Sequence, residues 1–321
     1  MRKYPPLISA CLIAAAMAAD AADRAFAEDT LRLTVGQRGL WDTSISEVGQ
    51  RSGIFKKHGL NLEILWTQGS GETQQAVIAG SVEIGTGVGI MGALSAYSKG
   101  APVRIIGNEM TGAGDLFWYV KSDSPIKTIR DANGKTIAYS TNGSSTHGIV
   151  TAFVKEYAPT AKPTPTGGPP ATLTAVMSGQ VDVGWSAPPF GLDQLDRSEI
   201  RQIATGNDTA FKGQTVRLLI TNIATLTSRK DAIDRYIKAY RETVDFMYSD
   251  PAALKIYAEF AGITTEKAKR IRDSYFTKAS VSPDEITGLD LIIPDAVALK
   301  FTAVPLTKTQ LAELIQIPPR K

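Results

Sequence analysis

The sequence predicts an α/β protein with two similar lobes that close on a ligand, chiefly because one segment occurs twice. Residues 76–85 are AVIAGSVEIG and residues 175–184 are AVMSGQVDVG, about a hundred residues further along, which is roughly one domain length. Each copy has the pattern of a helix end, a glycine C-cap and a short buried strand. Because ligands of open α/β sheets bind at the carboxyl ends of the strands, the two copies predict two loops that face one cleft.

Between residues 31 and 221 strand and helix patterns alternate with short loops, which favours a mostly parallel sheet in each lobe. Strands are predicted at 31–35, 60–66, 82–84, 103–106, 116–120, 136–140, 200–204 and 216–221. Helices are predicted after the Ser44-x-x-Glu47 capping box, after the turn at 141–146 and over 72–79, 90–98 and 172–178. Residues 126–133 predict a short helical turn, and the proline- and glycine-rich residues 162–170 predict a loop.

From residue 228 the pattern changes to amphipathic helices without glycine-rich loops. This change predicts structural packing around the first lobe rather than further ligand contacts. These helices are predicted at 228–248, 251–260, 265–276, 297–301 and 309–317.

Residues 1–27 have the pattern of a secretory signal peptide. Arg2 and Lys3 precede an uncharged apolar run at 7–19, and Ala25-Phe26-Ala27 offers a small-x-small cleavage site. The run is well short of the ~20 residues that span a bilayer, so a membrane anchor is the weaker interpretation. We expect cleavage after Ala27 and export to the periplasm.

Cys11 is the only cysteine of the chain. The sequence ISAC at 8–11 has a faint likeness to a lipoprotein processing site, but most of the apolar run follows the cysteine, so lipidation is the less favoured alternative. Cleavage after Ala27 would leave no disulfide, no thiolate metal site and no cysteine nucleophile. Such a protein relies on its hydrophobic core, which a chain of this length can build.

Composition and charge are those of an ordinary globular protein. Hydrophobic residues make up 43% of the chain and charged residues 21%, and the formal net charge is +3. This small basic excess, without a run of basic residues interleaved with aromatics, argues against a nucleic-acid partner.

No pattern of catalytic residues accompanies the fold prediction. The two histidines are His58 and His147, and neither has an evident partner for a triad. The sequence contains no HExxH, GxSxG, GxGxxG or P-loop motif. We therefore expect a protein that is not an enzyme and that has no catalytic residue, metal or cofactor. We expect His58 to lie at the surface and His147 to lie near the cleft.

Six short segments lie one after another within residues 31–189, C-terminal to the predicted signal peptide. They are GIFKKHGL at 53–60, QGSG at 68–71, AGSVEIG at 79–85, SKGAPV at 98–103, IRDANGKTI at 129–137 and SGQVDV at 178–183. In this order they resemble the substrate-binding components of ABC importers, in the NMT1-like group of periplasmic binding proteins that serves nitrate, sulfonates, taurine and related solutes. The C-terminal helices match this group only loosely.

The resemblance implies a type II periplasmic binding protein fold, in which two lobes close by hinge bending on a ligand in the cleft between them. It also implies a small-molecule ligand, an ABC permease in the inner membrane as partner, and a monomer. We expect the signal peptide at 1–27, the first part of lobe 1 at 28–114, lobe 2 at 115–221, and the return to lobe 1 with the C-terminal helices at 222–321.

Three turns of small residues are the candidate ligand contacts, because each follows a predicted strand and precedes a helix. Glycine lets the backbone approach a ligand closely, and the free N–H groups and dipole of a helix start favour an anion. The turns consist of Gly69, Ser70 and Gly71, of Thr86, Gly87 and Val88, and of Asn142, Gly143, Ser144, Ser145 and Thr146.

Four further residues are candidates for the cleft. Trp41 and Trp185 each follow a strand and would wall the cleft with apolar area; packing beneath a loop is the alternative. Arg38 would make a bidentate contact with a charged ligand, and a solvated loop arginine is the alternative. Pro188 belongs to the turn after the second repeat strand.

The sequence thus predicts an extracytoplasmic solute-binding protein that delivers a small anionic solute, of the sulfonate, nitrate, taurine or carboxylate type, to an ABC importer. A periplasmic sensor component that reports ligand occupancy to a membrane receptor is the alternative, and an enzyme on the same fold is the third possibility. One enzymatic branch of the resembled family makes a thiamine pyrimidine precursor with a cysteine-rich iron motif, and no cysteine follows Cys11 here.

Overall fold

The computed structural model describes residues 28–320, so the predicted signal peptide and Cys11 lie outside the described residues. Within residues 28–320 there are ten strands, β1 (Asp29–Gly36), β2 (Leu60–Thr67), β3 (Ile84–Gly89), β4 (Val103–Thr111), β5 (Phe117–Lys121), β6 (Thr136–Tyr139), β7 (Lys162–Pro165), β8 (Gly184–Ser186), β9 (Ile200–Thr205) and β10 (Thr215–Asn222).

The same residues form thirteen α-helices, α1 (Ile45–Arg51), α2 (Ile54–Lys57), α3 (Ser70–Ile78), α4 (Ile90–Ser98), α5 (Ser145–Glu156), α6 (Pro169–Met177), α7 (Leu192–Asp196), α8 (Ile223–Ser228), α9 (Lys230–Ser249), α10 (Pro251–Ala261), α11 (Thr265–Tyr275), α12 (Leu289–Ala298) and α13 (Lys308–Leu314). None of these helices is both long and apolar enough to cross a membrane.

The first sheet has five strands in the order β2-β1-β3-β10-β4. β1 runs parallel to β2 and to β3, whereas β10 runs antiparallel to β3 and to β4. The helices α1, α2 and α3 connect the parallel strands β1, β2 and β3, as the strand-helix alternation of the sequence predicts.

The second sheet repeats this order with different residues. β5 pairs antiparallel with β8 and β9, and β6 pairs parallel with β7. The parallel bridge between Ile137 and Val183 joins these two groups, and the Ala138 N–H donates to the Val183 carbonyl at 2.8 Å. The full order is therefore β7-β6-β8-β5-β9, which matches the first sheet strand for strand.

This equivalence explains the sequence repeat. The two copies lead into β3 and β8, which occupy the same central position in their respective sheets. β3 begins later than the predicted 82–84, at Ile84, and β8 begins at Gly184. The prediction of an α/β fold with two similar lobes is confirmed.

The chain crosses between the sheets twice, at residues 112–116 from β4 to β5 and at 206–214 from β9 to β10. β10 pairs on both sides within the first sheet, and all eight of its residues are buried. β10 therefore belongs to the first sheet from Thr215 onward, although the predicted lobe 2 extends to residue 221.

Two segments predicted as a turn and a loop are strands. Residues 86–89, with the sequence TGVG, complete β3 and pair with β10. Residues 162–165 form β7 at the edge of the second sheet, parallel to β6. Pro163 and Pro165 are tolerated there because an edge strand does not need every N–H group for pairing.

The capping box predicted at the start of α1 is wrong. Ser44 has helical backbone angles and makes no side-chain cap; its hydroxyl donates to the carbonyl of Leu40. Glu47 pairs instead with Arg51, one turn further along, at 2.6 Å.

The C-terminal helices pack mainly on the first lobe, as predicted. α9 lies against α1 and α2 with a buried face that includes Tyr236 and Tyr240. α11 also reaches the second lobe, where Lys267 pairs with Asp193 of α7 at 2.5 Å. The helix predicted at 297–301 is wrong in position, because α12 ends at Ala298.

Glycines allow the two lobes to meet closely beside the starts of α4 and α5. A Cβ atom at Gly89 would lie 2.5 Å from the Ser145 amide nitrogen, and one at Gly92 would overlap the carbonyl oxygen of Gly143. Real Cβ atoms essentially never come within 3.0 Å of another atom. The closed arrangement therefore requires glycine at both positions.

We expect Gly92→Ala to prevent full closure of the lobes while leaving each lobe folded. The added methyl group meets backbone of the other lobe, whereas alanine favours a helix over glycine by about 1 kcal/mol. A ligand that lowers the radius of gyration of the wild-type protein in small-angle scattering should lower that of the variant much less, with no loss of thermal stability.

The matched control is Ser98→Ala, because Ser98 is exposed at the far end of the same helix α4. This variant should close as the wild type does. Equal compaction of Gly92→Ala and wild type would contradict the contact between the lobes.

Candidate functional site

A small cavity lies between the lobes, where strands of both sheets end. Its volume is about 20 Å³, which is room for about one water molecule, so the two lobes are closed. Within the described part of the chain, the lining contains glycines, hydroxyls, an indole, an amide, leucines and one guanidinium, but no carboxylate, histidine or lysine. The lining residues are Gly36, Gln37, Leu40, Thr43, Gly69, Ser70, Gly87, Leu116, Ser140, Ser144, Ser145, Thr146, Trp185 and Arg217.

The start of α3 brings Gly69 and Ser70 to the cavity from the first lobe. Ser70 is 4% exposed, and its hydroxyl oxygen has no hydrogen-bond partner. Gly69 offers no side chain to cap the helix. The N–H of Gly71 is already used, because it donates to Thr141 Oγ1 of the second lobe at 3.0 Å. Gly71 therefore joins the lobes rather than lining the cavity.

The start of α5 brings Ser144, Ser145 and Thr146 to the cavity from the second lobe. Ser144 caps the helix, because its Oγ accepts the His147 N–H at 3.0 Å. The Oγ1 of Thr146 accepts the N–H of Ser140 at 2.9 Å. Hydrogen bonds within the second lobe thus fix the shape of this turn.

Asn142 and Gly143 of the same predicted turn lie outside the cavity, along a groove on its outer side. Asn142 accepts a hydrogen bond from the Tyr139 hydroxyl at 2.7 Å, and the Gly143 N–H donates to His147 Nδ1 at 3.1 Å. His147 stacks on Tyr139 with ring centroids 4.5 Å apart, and burial lowers the pKa of His147 below its usual value. These contacts shape the turn from behind.

Trp185 is the aromatic side chain of the cavity. It lies on β8, is 1% exposed, and its indole N–H has no partner. Pro188, in the following turn, does not reach the lining.

Of the predicted residues 86–88, Gly87 alone lines the cavity. Its N–H donates to a carboxylate oxygen of Glu109. Thr86 and Val88 are buried within β3. The reason is that this segment continues the strand instead of turning away from it.

Trp41 and Arg38 serve the first lobe instead of the cavity. Trp41 is fully buried; its indole N–H donates to the Tyr248 hydroxyl at 3.1 Å, and its ring meets Tyr257 edge-on at 4.8 Å. The guanidinium of Arg38 lies over the ring of Phe260, 4.5 Å from its centroid. For Trp41 the structure favours packing beneath a loop, and for Arg38 it favours the alternative of an exposed loop arginine.

Sequence reasoning missed several lining residues, of which Arg217 is the most important. It lies in the middle of the apolar strand β10, and a single arginine in an apolar strand is a signal that could have identified it. Gln37 and Leu40 belong to the loop after β1 and carried no distinctive pattern. Leu116 and Ser140 flank the second sheet without a motif of their own.

Arg217 is part of a buried cluster of charged side chains. Its Nε donates to Asp42 at 2.6 Å and its Nη2 donates to Asp115 at 2.7 Å. Side-chain exposure is 4% for Arg217 and 0% for both carboxylates. Glu109 lies in the same cluster, and one oxygen of each of the three carboxyl groups has no partner.

The cluster has three carboxyl groups for one guanidinium, and this excess shifts their protonation. Burial, assisted by the charge of Asp42, holds the pKa of Glu109 well above its usual value. Burial also raises the pKa of Asp115 to about 6, although Arg217 opposes that shift. Burial alone would lower the pKa of Arg217, but the charges of Asp115 and Asp42 raise it above its usual value. Arg217 thus stays protonated, and its positive charge is balanced by the carboxylates of Asp42 and Asp115.

The arrangement as a whole offers neutral hydrogen-bond donors to whatever occupies the cavity. Within residues 28–320, no group of three or more histidine, cysteine, aspartate or glutamate side chains is arranged to hold a metal ion.

The chain belongs to the NMT1/THI5-like family, whose sequence profile matches residues 45–254. A curated relative is the 4-amino-5-hydroxymethyl-2-methylpyrimidine phosphate synthase of Aspergillus parasiticus, 23% identical over 223 residues, or 64% of this chain. That match spans 63% of the length of the enzyme.

The fold is that of periplasmic binding proteins. The alkanesulfonate-binding protein SsuA of Xanthomonas axonopodis pv. citri, bound to MOPS, superposes with a TM-score of 0.71 at 17% identity, covering 90% of this chain and 98% of SsuA. The nitrate-binding protein NrtA of Synechocystis PCC 6803 gives a TM-score of 0.66 at 13% identity, covering 89% of this chain and 84% of NrtA. These likenesses confirm the predicted two-lobed type II fold.

We expect Arg217→Leu to lower the free energy of unfolding by about 3–5 kcal/mol, because it leaves Asp42 and Asp115 buried without their cation. Chemical denaturation at neutral pH measures this loss. Arg270→Leu is the control, because Arg270 pairs with Asp196 where both side chains are about half exposed; removal of such a pair costs at most about 1 kcal/mol. Losses of similar size in the two variants would contradict the structural role of Arg217.

Proposed function

We propose that this protein is an extracytoplasmic solute-binding protein that closes its lobes around a small anion and delivers it to an ABC importer. The observation that carries the proposal is a pair of unsatisfied donors. The Ser70 hydroxyl of the first lobe and the Trp185 indole N–H of the second are both buried beside the cavity without a partner. A buried unpaired donor costs about 1–3 kcal/mol, so a ligand with acceptor atoms would satisfy one donor from each lobe.

The starts of α3 and α5 support a negatively charged ligand. The free N–H groups of a first helical turn and the helix dipole both favour an anion. One of these helices belongs to each lobe, and both begin at residues that line the cavity. An anion between them would therefore bridge the lobes and shift the population toward the closed state.

The lining also supports reversible binding more than catalysis. A general acid or base must have a pKa near the working pH and reach the substrate. In the described lining the one ionisable side chain is Arg217, whose charge is already paired with Asp42 and Asp115. A second candidate function is that of an enzyme acting on a thiamine precursor, because one relative is a pyrimidine phosphate synthase.

Sulfonates and nitrate are the first ligand classes to consider, because proteins of the same fold are named for binding them. Taurine and carboxylates present similar acceptor groups. A closed cavity of about 20 Å³ has to open before any of these ligands enters. In this proposal residues 28–114 and those from 215 onward form lobe 1, residues 115–214 form lobe 2, and the two crossovers act as the hinge.

The signal-peptide pattern of residues 1–27 supports a periplasmic location, and the binding-protein fold supports a permease of the inner membrane as partner of a monomeric protein. A sensor component would use the same cavity, and neighbouring genes would distinguish the two roles.

A thermal-shift screen tests the binding function directly, since a ligand of the folded state raises its stability. The panel is nitrate, methanesulfonate, taurine, acetate and thiamine pyrimidine precursors; stabilisation by none of them would contradict the proposal.

We expect Ser144→Asp to nearly abolish binding of an anion, while Ser144→Asn only weakens it. Aspartate and asparagine both cap helices well, so each variant keeps the start of α5, and only aspartate adds a negative charge beside the ligand. Titration calorimetry with the anion found in the screen compares the two. Equal affinities would show that the ligand is not an anion held at this turn.

We expect Ser70→Ala and Trp185→Phe each to weaken binding by up to about tenfold, the value of one net hydrogen bond of about 0.5–1.5 kcal/mol. Both remove a donor and keep most of the side-chain volume. The controls Ser81→Ala, at an exposed serine, and Trp66→Phe, at a tryptophan packed on Phe260, should bind as the wild type does. Unchanged affinity of both site variants would contradict the role of the unpaired donors.

A further inference from the structure

Asp115 is a buried carboxylate one residue removed from the cavity. It does not line the cavity, but it accepts a hydrogen bond from Arg217, which does. It lies in the crossover at 112–116, and its other oxygen has no partner. The cluster of Arg217, Asp42, Asp115 and Glu109 thus has surplus negative charge directly behind the space proposed for an anion.

We propose that the Asp115 carboxylate takes up a proton when an anion occupies the cavity, so that anion binding is coupled to proton uptake. This inference rests on the proposed function, since it needs an anion to bind in this cavity. It concerns how that binding is regulated by pH.

We assign the proton to Asp115 because one of its oxygens accepts from Arg217 Nη2 at 2.7 Å and the other is buried without a partner. Burial holds the pKa of Glu109 well above its usual value, which favours its neutral form. Burial raises the pKa of Asp115 to about 6, so Asp115 is mostly ionised at pH 7. An anion beside Arg217 adds a second negative charge in a poorly solvated region, which favours the protonated form of Asp115.

The sign of the pH dependence follows from this shift. Below about pH 6 Asp115 is protonated before the anion arrives, and affinity does not change with pH. Above that value each bound anion takes up a fraction of a proton, so affinity falls as pH rises until the pKa of the complex is passed. A shift of one pKa unit corresponds to a tenfold loss of affinity across this window.

Other ionisable groups near the cluster do not titrate in this window. Burial raises the pKa of Tyr236 and of Tyr240 on α9, and of Tyr257 on α10, so these hydroxyls remain neutral. Burial likewise raises the pKa of Tyr248, near Asp42. The remaining charged groups that face Asp115 are Asp42 in the loop before α1, Glu109 on β4 and Arg217 on β10.

His147 lies behind the turn at the start of α5, outside the cavity, and its protonation would change anion affinity in the same direction. Burial lowers its pKa below the usual value, and its Nδ1 already accepts the Gly143 N–H. Both features favour the neutral imidazole. His147→Gln separates its effect from that of Asp115.

The test is titration calorimetry of the full mature protein with nitrate, methanesulfonate, taurine and acetate, between about pH 5.5 and 8.5, in buffers that differ in ionisation enthalpy. For the anions that bind, we expect wild-type affinity to fall roughly tenfold across this range, with net proton uptake near pH 7. Asp115→Asn should bind with the same affinity at every pH, and His147→Gln should keep the wild-type dependence above pH 6.

Several outcomes would overturn the inference. Binding without proton uptake, or affinity that is constant or rises with pH, removes the coupling and leaves the proposed function standing. A pH dependence that His147→Gln abolishes and Asp115→Asn retains assigns the proton elsewhere. If Asp115→Asn does not fold, the number of protons that the wild-type protein takes up per bound anion decides whether binding is coupled to proton uptake. Binding of none of the four anions overturns both the proposed function and the coupling.

Discussion

The placement of one buried guanidinium constrains the centre of the molecule. Arg217 lies on a fully buried strand, so its charge has to be neutralised inside the protein. Asp42, from the loop after β1, and Asp115, from the crossover to the second sheet, do so at 2.6 and 2.7 Å. These ion pairs fix the loop, the crossover and the returning strand relative to one another, and the cavity lies beside their junction.

This constraint determines what kind of recognition is possible. A guanidinium that is already paired adds little net attraction for an anion, so the ligand must gain its binding energy from neutral donors. Those donors come from both lobes, as the Ser70 hydroxyl and the Trp185 indole show. Affinity then depends on how many acceptors the ligand places correctly, and closure brings the two sets of donors together.

The sequence predicted the two-lobed α/β fold because the repeat, at 76–85 and 175–184, is a local pattern of helix, glycine and strand. It failed where pairing with distant residues decides the structure. The TGVG segment at 86–89 has the composition of a turn, but β10, more than a hundred residues later, holds it as a strand. At the site, Ser70 and Trp185 were predicted from their place after strands. Trp41 fits the same pattern, and only the packing of Tyr248 and Tyr257 shows that it belongs to the core.

The two equivalent turns also differ in how their shape is maintained. At the start of α5, Ser144 and Thr146 are bonded to residues of their own lobe, so opening the cleft leaves that turn intact. At the start of α3, the Gly71 N–H depends on Thr141 of the other lobe, and opening frees it. The second lobe therefore presents a preformed half of the site in either state. The first lobe acquires its final contacts only on closure, which makes closure itself part of the recognition of the ligand.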